Sequence, residues 1–212
     1  MKKIYVFICI LSFISCKKDR LLAQIQTITN DNKKFEVIKE PKNFGEKLSN
    51  AAIDIVDPTI VYTPDYVSLS YPNGDVPAHT GVCTDVLIRA MRQLDIDLQK
   101  DEHEDMKANF SKYPKRWGLT KTDTNIDHRR VPNLEVYLER KGKKLTISNN
   151  PLDYLPGDIV TWNINGKMPH IGIVTHIKSE SDNPMIVHNA GWGQVLEDCL
   201  FVYPMVAHFR YK

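Results

Sequence analysis

An α+β fold, with helices first and an antiparallel sheet after them, is what this sequence predicts. Two observations carry that prediction. Between Phe44 and Lys141 apolar residues recur at helical spacing, and from residue 158 onward they recur at period two. Gly, Pro, Asn and Ser punctuate the period-two runs, as they do between neighbouring strands. Helices segregated from strands along the chain is the α+β order, with helices laid on one sheet. The 212 residues suit one such domain plus a tail.

Each element follows from local chemistry. Phe44, Leu48, Ala51, Ala52, Ile55 and Val56 predict a first helix over 44–56, stopped by Asp57-Pro58. Residues 62–80 hold Pro64, Pro72, Pro77 and the turn Pro72-Asn73-Gly74-Asp75. They read as loop, with at most a short strand at Tyr66–Leu69. Thr80 to about Leu94 is the clearest helix: Thr80 is a suitable N-cap, and Val82, Val86, Ala90 and Leu94 form an apolar stripe. A helix near 100–113 begins acidic and ends basic, which suits its dipole. Residues 114–133 are irregular, and a short helix is expected at Asn133–Lys141. Strands are expected at Asp158–Ile164, His170–Ile177, Met185–Asn189, Gln194–Val202 and Val206–Tyr211.

The first residues belong to export. Met1-Lys2-Lys3 is basic, Ile4 to Ile14 is apolar except for Ser12, and Ser15-Cys16 is followed by Lys17-Lys18. That is the layout of a secretory signal, and the apolar run is shorter than the ~20 residues a spanning helix needs. Ser15-Cys16 resembles a bacterial lipobox, in which the Cys is lipidated and becomes the first residue. A plain signal peptide or an uncleaved anchor are the other readings. The expected organisation is a signal over 1–15, lipidated Cys16 and a spacer over 16–43, and a folded domain over 44–212. No other segment is apolar and long enough to span a membrane.

Composition narrows the function. Hydrophobic residues are 42% and charged residues 25%, which excludes fibrous and wholly disordered chains. The net charge of +2 argues against a nucleic-acid partner. Lys2 and Lys3 are the only charges among residues 1–15, so 26 of the 28 basic side chains face 26 acidic ones in the rest. Membrane attachment is therefore expected to come from the lipid on Cys16 and not from a basic surface.

Of four cysteines, Cys9 and Cys16 belong to export, which leaves Cys83 and Cys199 in the folded part. Cys83 follows Gly81-Val82 in the first turn of the best helix. Free amides and the positive dipole end there are expected to stabilise a thiolate and to offer donors to an oxyanion. Cys199 sits within a strand, where a buried inert thiol is the default. A cysteine nucleophile needs a base. His170 opens one strand and His188 closes another, so both can stand at a rim, with Gly172 leaving room on the face of His170. His176, six residues on, is about 20 Å away along an extended strand and cannot share that site.

Leu155-Pro156-Gly157-Asp158, His170-Ile171-Gly172-Ile173-Val174 and Val187-His188-Asn189 resemble the signatures of NlpC-like papain-fold cysteine peptidases. Tyr71 to Pro77, Gly81 to Val86, Trp117-Gly118-Leu119, Asn125 to Leu134 and Pro156 to Trp162 resemble, more closely, the domain of unknown function 1287 (YijF-like) family over residues 45–212. The resemblance implies a papain-like (NlpC-like) fold, Cys83 as nucleophile, His170 as general base and His188 as the residue that orients it. It implies a structural Asp158 and, at Tyr62, a hydroxyl that assists the oxyanion hole. Val82-Cys83-Thr84-Asp85 departs from the Asp-Cys-Ser-Gly of the cell-wall peptidases, which puts their γ-D-glutamyl substrate in doubt here.

Other signals were weighed on their chemistry. Asp123, Asn125 and Asp127 mimic a calcium loop, but His128 and Leu134 stand where Gly and Glu are required. Asp101 to Asp105 reads as a solvated helix start. No zinc motif and no glycine-rich phosphate loop occurs, so no metal and no cofactor is expected. Arg129 and Arg130 are either a salt-bridged loop or a clamp for a substrate carboxylate. Arg129, Arg130, Tyr62 and Asn189 are the candidate oxyanion and substrate residues. The leading expectation is a monomeric, lipid-anchored cysteine peptidase or amidase of the bacterial envelope, on the outer membrane facing the periplasm. It would cleave a peptidoglycan peptide or other amide through an acyl-enzyme on Cys83. The alternatives are an acyltransferase or lipid hydrolase on the same scaffold, or a non-catalytic binding lipoprotein with Cys83 bridged to Cys199.

Overall fold

The computed structural model describes residues 35–212. The signal, Cys16 and most of the spacer lie outside the described residues. The folded unit runs from Val37 to Lys212. Its helices are α1 (Phe44–Asp54), α2 (Cys83–Arg92), α3 (Leu98–Ala108) and α4 (Val131–Lys141). Its strands are β1 (Val61–Tyr62), β2 (Thr80–Gly81), β3 (Lys143–Leu145), β4 (Ile159–Ile164), β5 (Met168–Lys178), β6 (Pro184–His188), β7 (Val195–Glu197) and β8 (Met205–Arg210). The α+β expectation holds. Six antiparallel strands form one sheet in the order β3-β8-β4-β5-β6-β7, and α1, α2 and α4 pack on β5 at its middle.

Strand alternation divides the core. Ile159, Ile171, Ile173 and Val187, all fully buried, belong to the face the helices cover. Val160, Trp162, Val174 and Ile186 belong to the other face, where Tyr154, Cys199 and Leu200 complete a second cluster. Trp162 Nε1 donates to the Leu200 carbonyl, so its polar edge is satisfied within that cluster.

The helix starts show how the sequence specifies its turns. Asn43 caps α1, its side chain accepting from the Glu46 amide. The N-cap of α2 is Val82, not Thr80, which lies in β2. Val82 has no capping oxygen; Asp85, three residues on, accepts from the Val82 amide at 2.7 Å instead. The expected strand at 66–69 is absent and a short parallel pair forms instead, with Val61 opposite Thr80 and Tyr62 opposite Gly81. The long last-but-one strand expected over 194–202 shrinks to 195–197, at the edge of the sheet.

Two buried carboxylates tie elements together. Asp158 accepts from the Leu155 amide, from His208 Nε2 and from Arg210 Nε and Nη2, which joins the start of β4 to β8. Those partners hold its carboxyl below the usual range despite burial. This is the structural role expected for Asp158. Asp105 is likewise paired with Arg140 and Lys141. The expectation of a solvated acidic start to α3 therefore fails in part: Glu102 and Asp105 are buried, and Glu102 has no hydrogen-bond partner for either oxygen. Among the described residues no helix is long and apolar enough to cross a membrane.

Candidate active site

Cys83 is the first residue of α2 and is buried. Its sulfur takes backbone hydrogen bonds from Ile171 on β5, from Thr84 and from its own amide, each of which favours the thiolate. Burial outweighs all three and pushes the thiol up to about 12, with Asp85 adding to the rise. The expected thiolate is thus corrected to a neutral thiol: helix-start amides are present, but desolvation dominates.

His170 and Ile171 are consecutive, so their side chains leave opposite faces of β5. Ile171 faces the helices and brings its amide to Cys83. His170 turns to Trp162, with ring centroids 5.8 Å apart, and to His188, 5.1 Å away and edge-on. The register explains the meeting: Ile173 pairs with Val187, which sets Gly172 beside His188. A Cβ at 172 would lie 2.6 Å from Ile186 and 3.2 Å from the His188 Cβ, so glycine is required for the two rings to lie this close.

His170 Nε2 and His188 Nδ1 are 2.8 Å apart, and His188 Nε2 is 2.9 Å from Glu197 Oε2. Burial, then His188, pushes His170 down to about 3, so it is neutral at ordinary pH. The His188 hydrogen bond holds Glu197 below the usual carboxyl range, so Glu197 is ionised and accepts only. With a single proton on each ring, one arrangement satisfies both contacts. His188 donates from Nε2 to Glu197 and accepts at Nδ1 from His170 Nε2–H. His170 is left with a bare Nδ1, the ring nitrogen nearer its backbone. The thiol rests on the next backbone amide.

A cleft of about 220 Å³ opens beside the thiol, lined by Tyr62, Cys83, Trp117, Arg130 and Pro169 among others. The Tyr62 hydroxyl faces Cys83; burial, then Cys83, pushes it up to about 12, so it remains a hydrogen-bond donor. Arg129 also touches this cleft, but its guanidinium makes two 3.0 Å bonds to Asp85, with side chains 1% and 2% exposed. It is therefore a buried ion-pair partner and not a free clamp. Arg130 pairs with Asp127 and lies over the Trp117 ring, 4.1 Å from its centre. Asn189 is buried, its side chain held by the Gly191 amide and the Gly81 carbonyl, which places it in the support of the site.

Cys83 and Cys199 are both free thiols, so the bridged alternative is absent from this structure. His176 bonds Ser49 on α1, away from His170, as its spacing required. Glu197 is the residue that sequence reasoning missed. Its one signal was strand parity: Ile186 pairs with Glu197, which puts that carboxylate on the face of His188.

The family model described as a domain of unknown function (DUF1287) matches residues 49–211. The chain is 46% identical over 175 residues to the uncharacterized protein YijF of Escherichia coli (strain K12), covering 82% of this chain and 85% of that protein. Among solved structures it is similar to NlpC1 from Trichomonas vaginalis, with 16% identity and a TM-score of 0.46 over 84% of this chain. It spans about half (48%) of that protein's length. It is also similar to an N-acetylmuramoyl-L-alanine amidase from Bacteroides uniformis, with 13% identity and a TM-score of 0.46, over 79% of this chain and 98% of that one.

Proposed function

The chain belongs to the DUF1287 family, and from that premise we propose that it is a cysteine hydrolase cleaving an amide bond in cell-wall peptide. The observation that carries this reading is the hydrogen-bonded run His170–His188–Glu197, which leaves His170 Nδ1 bare on the residue next to the amide that holds the Cys83 sulfur.

In this reading His170 Nδ1 takes the thiol proton as the sulfur attacks, because a neutral thiol beside a neutral imidazole transfers its proton during the reaction and not before it. The negative oxygen that forms on the carbonyl carbon meets the Cys83 amide and the Tyr62 hydroxyl. The carbon–nitrogen bond then breaks, and the proton held by His170 goes to the leaving amine. The acyl-enzyme is opened by water, which gives its proton to His170 while the carboxylic acid leaves the sulfur. His188 and Glu197 position His170 and need not change charge. Arg130, half-buried over Trp117 at the mouth of the cleft, is the cation available to a substrate carboxylate. Arg129 supports the helix start through Asp85.

Purified muropeptides incubated with wild type, Cys83→Ala and His170→Ala test the reading. Cleavage by wild type alone is expected, and equal products from wild type and Cys83→Ala overturn it. A product in which the acyl group has moved to an alcohol or amine assigns the same residues to an acyltransferase. The envelope placement is a further part of this proposal. Metabolic labelling with a radioactive fatty acid should mark wild type and not Cys16→Ser, and equal labelling removes Cys16 as the anchor.

A further inference from the structure

His188, Glu197 and Cys199 converge at the outer end of the histidine pair. His188 closes β6, Glu197 closes β7, and Cys199 follows two residues later. His188 Nε2 lies 2.9 Å from Glu197 Oε2 and 3.5 Å from Cys199 Sγ, and the three donor atoms all lie within 4.8 Å of one another. The carboxylate–imidazole contact explains itself as a hydrogen bond. The sulfur adds a third ligand-type atom at the same nitrogen, also within hydrogen-bond reach.

The donor chemistry identifies what would use all three. With Zn–N of ~2.0–2.1 Å and Zn–S of ~2.3 Å, tetrahedral angles put a nitrogen and a sulfur roughly 3.5 Å apart. The His188–Cys199 separation has that length. Imidazole, thiolate and carboxylate together suit zinc, whereas magnesium and calcium take oxygen ligands. His188 and Cys199 are buried, and Glu197 is about half exposed, so the set has a rigid inner wall and one solvent-facing ligand that opens an entry path. A ligating histidine also needs a partner for its second nitrogen. His170 supplies it at 2.8 Å.

We propose that His188 Nε2, Glu197 and Cys199 Sγ form a binding site for one zinc-like divalent ion, with water as its fourth ligand. Binding exchanges protons in a defined way. The ion takes the Nε2 lone pair and the Cys199 thiolate, and the thiol proton goes to solvent. The neutral His188 ring then carries its proton on Nδ1 and donates it to His170 Nε2. His170 must hold its own proton on Nδ1, the nitrogen assigned to the thiol. Occupancy therefore leaves His170 without a free ring nitrogen for the thiol and silences the base. This consequence rests on the hydrolase reading; the binding does not.

The test separates the two. Cobalt(II), added to purified full-length protein, should give at one equivalent the intense visible bands of a tetrahedral site and a near-ultraviolet thiolate-to-cobalt band, both displaced by zinc. Cys199→Ser should lose the thiolate band. Glu197→Gln, a substitution at a half-exposed position that does not threaten folding, should weaken binding at least tenfold. Cys83→Ser should keep the full spectrum. No band in wild type, or a band lost with Cys83 and kept without Cys199, overturns the site. Zinc at micromolar concentration should lower muropeptide turnover more than tenfold in wild type, with Cys199→Ser removing the inhibition. A complete cobalt spectrum with turnover unaffected by zinc leaves the site standing and overturns the switch.

Discussion

The two halves of the candidate site are built from opposite electrostatics. On the helix side, Asp85 and Arg129 are buried and charged, and together they pin the start of α2 to the segment before α4. On the sheet side, His170 and His188 are buried and hydrogen-bonded, with His170 kept neutral. Burial acts on both. It meets a close opposite charge in the first case and keeps His170 uncharged in the second. The lesson is that the helix half sets position through an ion pair that must stay intact, while the sheet half holds His170, which must stay uncharged to accept a proton.

The largest test breaks the charged half. Arg129→Ala leaves Asp85 buried without its partner and is expected to cost about 3–5 kcal/mol of stability, read from denaturant unfolding. His170→Ala should cost much less stability, because no charge is stranded, yet lower turnover by about 10²–10⁴-fold. Equal losses of stability in the two variants would erase the distinction.

Glu102 sharpens the comparison because it lies on the helix side without an ion-pair partner. Burial, then Asp127 and Asp105, pushes its carboxyl well above the usual range. A raised folded-state value means that the folded protein holds the proton more tightly than the unfolded chain. Stability from this group is therefore intact below the ordinary carboxyl value and falls as pH rises through that value toward the folded one. Glu102→Met should remove that decline and stabilise the domain by about 1–3 kcal/mol at neutral pH. Thermal melts of both proteins across pH 4–8 check it, and a gap that narrows with rising pH contradicts the sign.

Alkylation tests the thiol itself. With its thiol pushed up to about 12, Cys83 should react slowly with iodoacetamide at neutral pH, and its rate should climb about tenfold per pH unit to pH 10 without a plateau. A plateau below pH 8 would mean that the helix amides outweigh burial after all. The smallest effect is expected far from both halves: Asn43→Ala removes the cap of α1 and should cost about 1 kcal/mol while turnover is retained.

Local chemistry made much of this architecture readable. The apolar stripe of α2 and the strands that carry His170 and His188 are visible in spacing, and the Pro156-Gly157-Asp158 entry to β4 in the family resemblance. What escaped depends on partners distant in the chain. Arg129 looked available to a substrate because nothing near it in sequence announces Asp85, 44 residues earlier. The thiolate expected at Cys83 followed from its helix position, but burial under β5 is a tertiary property. β7 looked longer because periodicity does not say where an edge strand runs out of neighbours. Glu197 passed unnoticed, and Cys199 read only as an inert thiol, because an i, i+2 pair becomes a site only when β6 brings His188 to it.

The place of β8 in the sheet has a consequence for how the protein is made. β8 follows every other strand in the chain yet lies between β3 and β4, and it delivers both His208 and Arg210 to Asp158. On the ribosome, Cys83, His170 and His188 are all synthesised while β3 has no neighbour and the Asp158 carboxylate has no cation. Docking of β3 and neutralisation of Asp158 wait until Met205–Arg210 emerge, so completion of the sheet is a late event that one strand decides.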